Sequence, residues 1–283
     1  MLRGIFTGAA GMKAQQGKLD VIANNLANVN QNGFKKDLPI SKAFPEILIR
    51  RSNDNGVVTI PLGSYDRMPV VGKMGTGVEL NEVFTIFNQG NLVQTENDFD
   101  IALKGNGFFS IETEQGERYT RNGSFTINKD GFLVTKDGFY VLGEQGRINL
   151  KKNNFIIDEE GNIFQNLSYA QEPERLVSKQ ENEWESTDLL DRLKIVNFPR
   201  LRELEKQGNS FYRSTKYSGE AFILDNESRP KVVQGFLESS NVNVVKQMVQ
   251  MIEINRIYEA NQKIIQSHDS TLGRVISEVG LIR

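Results

Sequence analysis

Two heptad stripes, one at each end of the chain, constrain the fold more than anything between them. Near the N-terminus, Leu2, Ile5, Ala9, Met12, Gln16, Leu19, Ala23 and Leu26 follow alternating spacings of three and four. That is the a/d pattern of a helix lying along another helix. Gly4, Gly8, Gly11 and Gly17 each weaken such a helix by up to ~1 kcal/mol relative to alanine, so it should need a partner. At the other end, Val244, Met251, Tyr258, Ile265, Leu272 and Val279 recur every seven residues. Met248, Asn255, Gln262, Asp269 and Ile276 are expected to form the complementary row, with a polar middle. Roughly 35 residues at about 1.5 Å each predict a rod of about 50 Å. Length and matched periods point to a coiled coil closed between the two termini. An ordinary surface helix packed on a core fits the same periodicity.

Between the stripes the pattern changes to short β-branched and aromatic runs. Residues 83–95, 100–113, 118–144, 193–198 and 209–214 read as strands, punctuated by Asn122-Gly123, Asp130-Gly131, Asp137-Gly138 and Gly161-Asn162. The expected fold class is therefore α+β, mainly β: an antiparallel β domain inserted between terminal helices that form a coiled-coil-like pair. The domain reading assigns 1–36 and 240–283 to a helical unit and 76–239 to the β domain. Residues 37–75, with Pro39, Pro45, Pro61 and Pro69, read as an extended connector. The charged stretch 170–190 reads as peripheral, with Trp184 its one large anchor.

A formal charge of -2 argues against a strongly basic nucleic-acid surface. Without cysteine, thiolate metal sites, disulfides and cysteine nucleophiles are excluded. No apolar run approaches the roughly 20 residues that span a bilayer, and the N-terminus lacks the apolar core and cleavage site of a classical signal peptide.

A search for catalytic chemistry is mostly negative. Gly105-Asn106-Gly107 lies between strands, whereas a dinucleotide site needs a strand followed by a helix, so tight-turn glycines are the better reading. The single histidine, His268, cannot build a histidine metal cluster, and its neighbours Ser267, Asp269 and Ser270 point in different directions along a helix. Residues 158–162, DEEGN, lack calcium-loop spacing and read as a hairpin turn. Asp98/Asp100 and Glu112/Glu114 are paired carboxylates of the kind acid–base work uses, but 36 acidic residues make such pairs expected by coincidence. No cofactor, metal or small-molecule substrate is called for.

One stretch, Ile22–Lys36, reads IANNLANVNQNGFKK and packs asparagine at 24, 25, 28, 30 and 32 into the end of a helix, although asparagine competes for backbone hydrogen bonds. Together with SNVNVVKQMVQMIEINRIYEANQKI from Ser240, it resembles the terminal motifs of bacterial flagellar rod and hook proteins. The first matches the pattern ANNLANVxTxGFK, departing at Gln31 and Asn32. The second matches SNVNxVxxMVxMIxxxRxYEAN. FNQGNLVQTENDFDIALKGNGFFSI and YTRNGSFTINKDGFLVTKDGFYVLGE resemble that family's inner β domain. IFTGAAGM, YTRNGSF and VLGEQGRI look most like the proximal-rod subunit, whereas GTGVELNEVFTIFNQGNLVQT and NRIYEANQKI are close to the distal-rod type.

The resemblance implies a structural, non-enzymatic subunit of the flagellar basal-body rod, assembling helically through its terminal helices into the shaft that carries torque from motor to hook. A distal-rod or hook subunit is the alternative; a carboxylate-dependent polysaccharide hydrolase is the remote one. Implied partners are other rod subunits and itself, the flagellar type III export apparatus, and the hook and the bushing ring. No nucleic acid is implied. The implied location is the periplasmic rod, reached without signal cleavage, with termini loose until neighbours order them. The subunit interface is expected along the helical seam: Leu19, Asn24, Asn25, Leu26, Asn28, Asn241, Asn243, Met248, Met251, Asn255, Tyr258, Asn261 and Ile265. There amides at fixed heights reward only a partner whose donors and acceptors align. Asn30 and Asn32 fit helix capping and turn formation before Gly33 equally well.

Overall fold

The computed structural model describes residues 2–51, 57–61, 63–66, 70–150, 155–166, 187–208, 210–225 and 228–280. Trp184 and most of the 170–190 stretch lie outside the described residues, as do the side chains of Leu2 and Val279. The chain divides into two compact units. One comprises 1–24, 37–84 and 245–283; the other comprises 25–36 and 85–244.

The first unit carries nearly all of both long helices, α1 (Leu2–Ala27) and α2 (Val244–Gly280). They run antiparallel, because Gly4 lies against His268, Gly8 against Ile265 and Gly11 against Asn261. The contact row differs from the expected one. Gly4, Gly8, Gly11, Gln15 and Ile22 sit one position before the stripe Ile5, Ala9, Met12, Gln16 and Ala23. Ala9, Gln16 and Ala23 are exposed, while Ile5, Met12, Leu19 and Leu26 are half-buried. Residue volume explains the shift: a Cβ on Gly4 would lie 2.7 Å from His268 Nε2, and one on Gly8 3.0 Å from Ile265 Cγ1. Where a helix presents no side chain, its partner comes closest, and the larger residues of the next row flank the seam.

On α2, the row Val244, Met251, Tyr258, Ile265 and Leu272 is half-buried as expected. The complementary row is Gln247, Ile254, Asn261 and His268. The expected row, Met248, Asn255, Gln262, Asp269 and Ile276, is exposed. The same unit holds short two-stranded ladders: Asp37–Ala43 with Val78–Thr85, Ile47–Arg50 with Val70–Met74, and Val57–Ile60 with Gly63–Asp66.

The second unit is an antiparallel β domain. Among the described residues its main sheet has nine strands. Phe108–Thr113 and Gly116–Thr120 form a hairpin at its centre, and Phe211–Arg213 continues the sheet from Gly116–Thr120. Strands Phe125–Ile127, Leu133–Thr135 and Tyr140–Val141 extend the other side. One face buries Ile101, Leu103, Phe109, Ile111, Leu133 and Ile195. A second cluster is aromatic, with Phe108, Tyr119, Phe198 and Tyr212 joined by Phe87 in edge-to-face contacts. Alternating side chains on a pleated strand supply both faces, so Phe108 enters the aromatic cluster and Phe109 the aliphatic one. Near its end the chain pairs Lys231–Gln234 with Ile101–Lys104, then Phe236–Glu238 with Leu92–Gln94. That last ladder sets Glu238 opposite Leu92 and leads the chain to α2.

Candidate assembly surface and the clamp at the chain crossings

The asparagine-rich stretch breaks its helix within a few residues. α1 ends at Ala27, and successive turns follow, with Gln31 N–H donating to Asn28 O at 3.1 Å and Phe34 N–H to Gln31 O at 3.3 Å. Gly33 then adopts φ +68°. A Cβ there would stand 2.5 Å from the backbone of Arg121 and Asn122, so the position demands glycine both for conformation and for space. The close approach lets Gly33 N–H donate to Glu238 O at 2.7 Å.

Around this contact lies a buried charge cluster. The side chains of Lys35 and Glu238 are 0% and 1% exposed and meet at 2.5 Å. The other Glu238 oxygen, Oε2, lies 3.4 Å from Nε of Arg121, whose side chain is 3% exposed. Two cations share one carboxylate, and neutral oxygens supply the remaining solvation. Lys35 Nζ donates to Asn88 O at 2.9 Å, and Arg121 donates to Gly107 O at 2.8 Å and Gly105 O at 2.6 Å. The Gly-Asn-Gly turn is thus a carbonyl cradle for a guanidinium. Burial pushes the Lys35 ammonium below its ordinary value, against the attraction of Glu238 and with the nearby Arg121 charge. Burial likewise lowers Arg121, opposed by Glu238.

Three further contacts close the clamp. Lys206 Nζ donates to Lys35 O at 2.6 Å and stands 4.4 Å from the Phe34 ring centroid. Asn241 Oδ1 accepts from Lys36 N–H at 2.8 Å, while its Nδ2 donates to Ile86 O at 2.8 Å and Asn88 O at 3.0 Å. Glu238 Oε1 also accepts from Gly90 N–H at 2.8 Å. The two crossings of the chain, 33–36 and 238–241, are therefore fastened side by side through 86–91. Such a network does no covalent chemistry; it fixes where two helices leave a rigid domain.

The seam residues singled out from sequence separate in the structure. Leu19, Leu26, Asn28, Met251, Tyr258, Asn261 and Ile265 are half-buried, and Asn25 is fully buried. Asn261 faces Gly11 within the helix pair, and the Asn241 amide is committed to the clamp. Asn24, Asn243, Met248 and Asn255 are exposed. Sequence reasoning missed the exposed apolar row Val245, Val249 and Ile252 beside Met248 on the first turns of α2, although spacings of three and four mark one helix face. It also missed Lys35, Arg121 and Glu238. The carboxylate pairs considered for catalysis have other tasks: Glu112 accepts two hydrogen bonds from Arg147, at 2.6 and 3.1 Å, and buried Asp100 caps a turn with Asn97. Residues 158–162 form the expected turn, with Gly161 N–H donating to Asp158 O at 3.0 Å.

Three family models match the chain. One described as flagella basal body rod protein covers 5–35, one described as flagellar hook protein FlgE/F/G D1 domain covers 102–165, and one described as flagellar basal body rod FlgEFG protein C-terminal covers 233–278. The chain is 34% identical to the flagellar basal-body rod protein FlgG of Borreliella burgdorferi, over 96% of this chain and 97% of the relative. It is 32% identical to FlgG of Buchnera aphidicola subsp. Acyrthosiphon pisum, over 97% and 99%. Against the flagellar basal-body rod protein FlgF of Caulobacter vibrioides the identity is 28%, over 98% of each chain.

Proposed function

This chain belongs to the flagellar basal-body rod protein family, and from that premise we propose how it works as a structural subunit of the rod. Subunits associate helically, with copies of themselves and with other axial subunits, through α1 and α2. The observation that carries this reading is the row Val245, Met248, Val249 and Ile252, whose side chains face outward over two turns of α2. A contiguous exposed apolar face marks a protein contact. Leu19, Asn24, Asn25, Leu26, Asn28, Asn243, Met251, Asn255, Tyr258, Asn261 and Ile265 set the register within and beside that contact. The assembly carries torque towards the hook, and export proceeds by the flagellar route without signal cleavage. The family as such is one of structural proteins rather than enzymes. Relatives named FlgG match at 31–34% identity against 28% for FlgF, which favours the distal-rod alternative over the proximal type that the sequence motifs suggested.

Sedimentation of concentrated protein tests the proposal. Wild-type chain is expected to polymerise, whereas Met248→Asp with Val249→Asp stays dispersed while the β domain melts as before. Equal polymerisation of the double variant would overturn the assigned face.

A further inference from the structure

We propose that a cleft in the β domain binds a carboxylate carried on a small apolar body. The cleft, about 490 Å³, opens between the hairpin turns at 113–116 and 207–208, within the roughly 300–1,000 Å³ range of small-molecule sites. Phe139 and Phe211 form its apolar wall, their rings meeting edge-to-face at 5.6 Å. Its cationic group is Arg118, only 7% exposed.

Arg118 is unusual in what surrounds it. Its Nε–H donates to Gln207 Oε1 at 2.6 Å, and its terminal nitrogens donate to Glu117 O at 2.9 Å and Gln115 Oε1 at 3.4 Å. All three acceptors are formally neutral. The acids nearby are spent elsewhere: Glu112 pairs with Arg147, and Glu117 with Lys194 at 2.8 Å. Among the described residues no carboxylate is paired with Arg118. The contrast with Arg121 is direct, since that equally buried guanidinium has Glu238. A buried charge without a counter-ion is costly, and here it lines an open cleft with N–H donors left over. A guanidinium in that position matches a planar carboxylate bidentately. Glu114 also lines the cleft, on the exposed hairpin tip, and opposes an incoming anion, so the site should favour a single carboxylate over a dianion.

The carboxylate has two sources, a free small molecule or an acidic side chain presented by a neighbouring copy. Calorimetric titration of phenylacetate and of phenylacetamide into the dispersed full-length chain tests the shared chemistry. Phenylacetate is expected to bind at least about ten-fold more tightly than the amide. Arg118→Gln should lose phenylacetate binding, and Glu114→Gln should tighten it. No phenylacetate binding, equal binding of acid and amide, or unchanged binding by Arg118→Gln would each overturn the site. Should Arg118→Gln fail to fold, the acid–amide comparison on the unaltered chain decides alone. Repeating the titration on polymerised chain separates the sources. Binding blocked by polymerisation assigns the carboxylate to a neighbouring copy, and binding retained assigns it to a free molecule.

Discussion

At residue scale the clamp is an imbalance of two buried cations on one carboxylate, and that predicts an order of damage. Glu238→Gln leaves Lys35 and Arg121 facing each other without a counter-charge and should cost about 3–5 kcal/mol. Lys35→Met should cost markedly less, because Glu238 keeps Arg121 at 3.4 Å and the desolvation that dominates Lys35 is recovered. Urea midpoints for the two variants measure the order, and a larger loss from Lys35→Met would contradict it. Tyr119 gives a pH prediction. Burial first, and Glu117 second, push its phenol up to about 12 from an ordinary value of 10.0. The unfolded chain then releases this proton before the folded one does, so stability should fall as pH rises from about 10 to about 12. Tyr119→Phe should flatten that part of the profile relative to wild type.

At the scale of elements, glycine decides which face of α1 is used. Gly8→Leu raises intrinsic helix propensity by up to ~1 kcal/mol, yet its side chain would enter the space of Ile265, already 3.0 Å from a bare Cβ. An isolated α1 peptide carrying the change should gain helicity by circular dichroism, while amides of both helices in the full chain should exchange faster. Matching gains in both would show that the glycine row is not a contact. The same point explains what the sequence revealed. Hydrophobic period found both helices and the Met251, Tyr258, Ile265 row, because apolar side chains carry that signal. It misplaced the contact on α1 by one residue, since glycine has no hydropathy to register and marks a seam only by its small volume. Turn dipeptides located the hairpins of the β domain because Asn-Gly and Asp-Gly act locally. Lys35 and Glu238 are 203 residues apart, and no local pattern links them. Their motifs, GFKK and GFLESSN, were legible as strings while the ion pair between them was not.

For the whole molecule, the two units have different resources. The β domain buries aliphatic and aromatic clusters of its own, and the clamp secures both chain crossings within it. The helical unit leaves Phe6, Val245, Val249, Ile252 and Ile276 exposed, apolar surface whose burial would contribute about 25 cal/mol per Å². A subunit built this way should hold its β domain in solution and complete its helices in the polymer. Hydrogen exchange on the full-length chain, dispersed and then polymerised, tests this most directly. Amides of 2–24 and 245–280 should gain protection on polymerisation while those of 101–141 stay unchanged. Helical amides equally protected in both states would contradict assembly through the terminal helices.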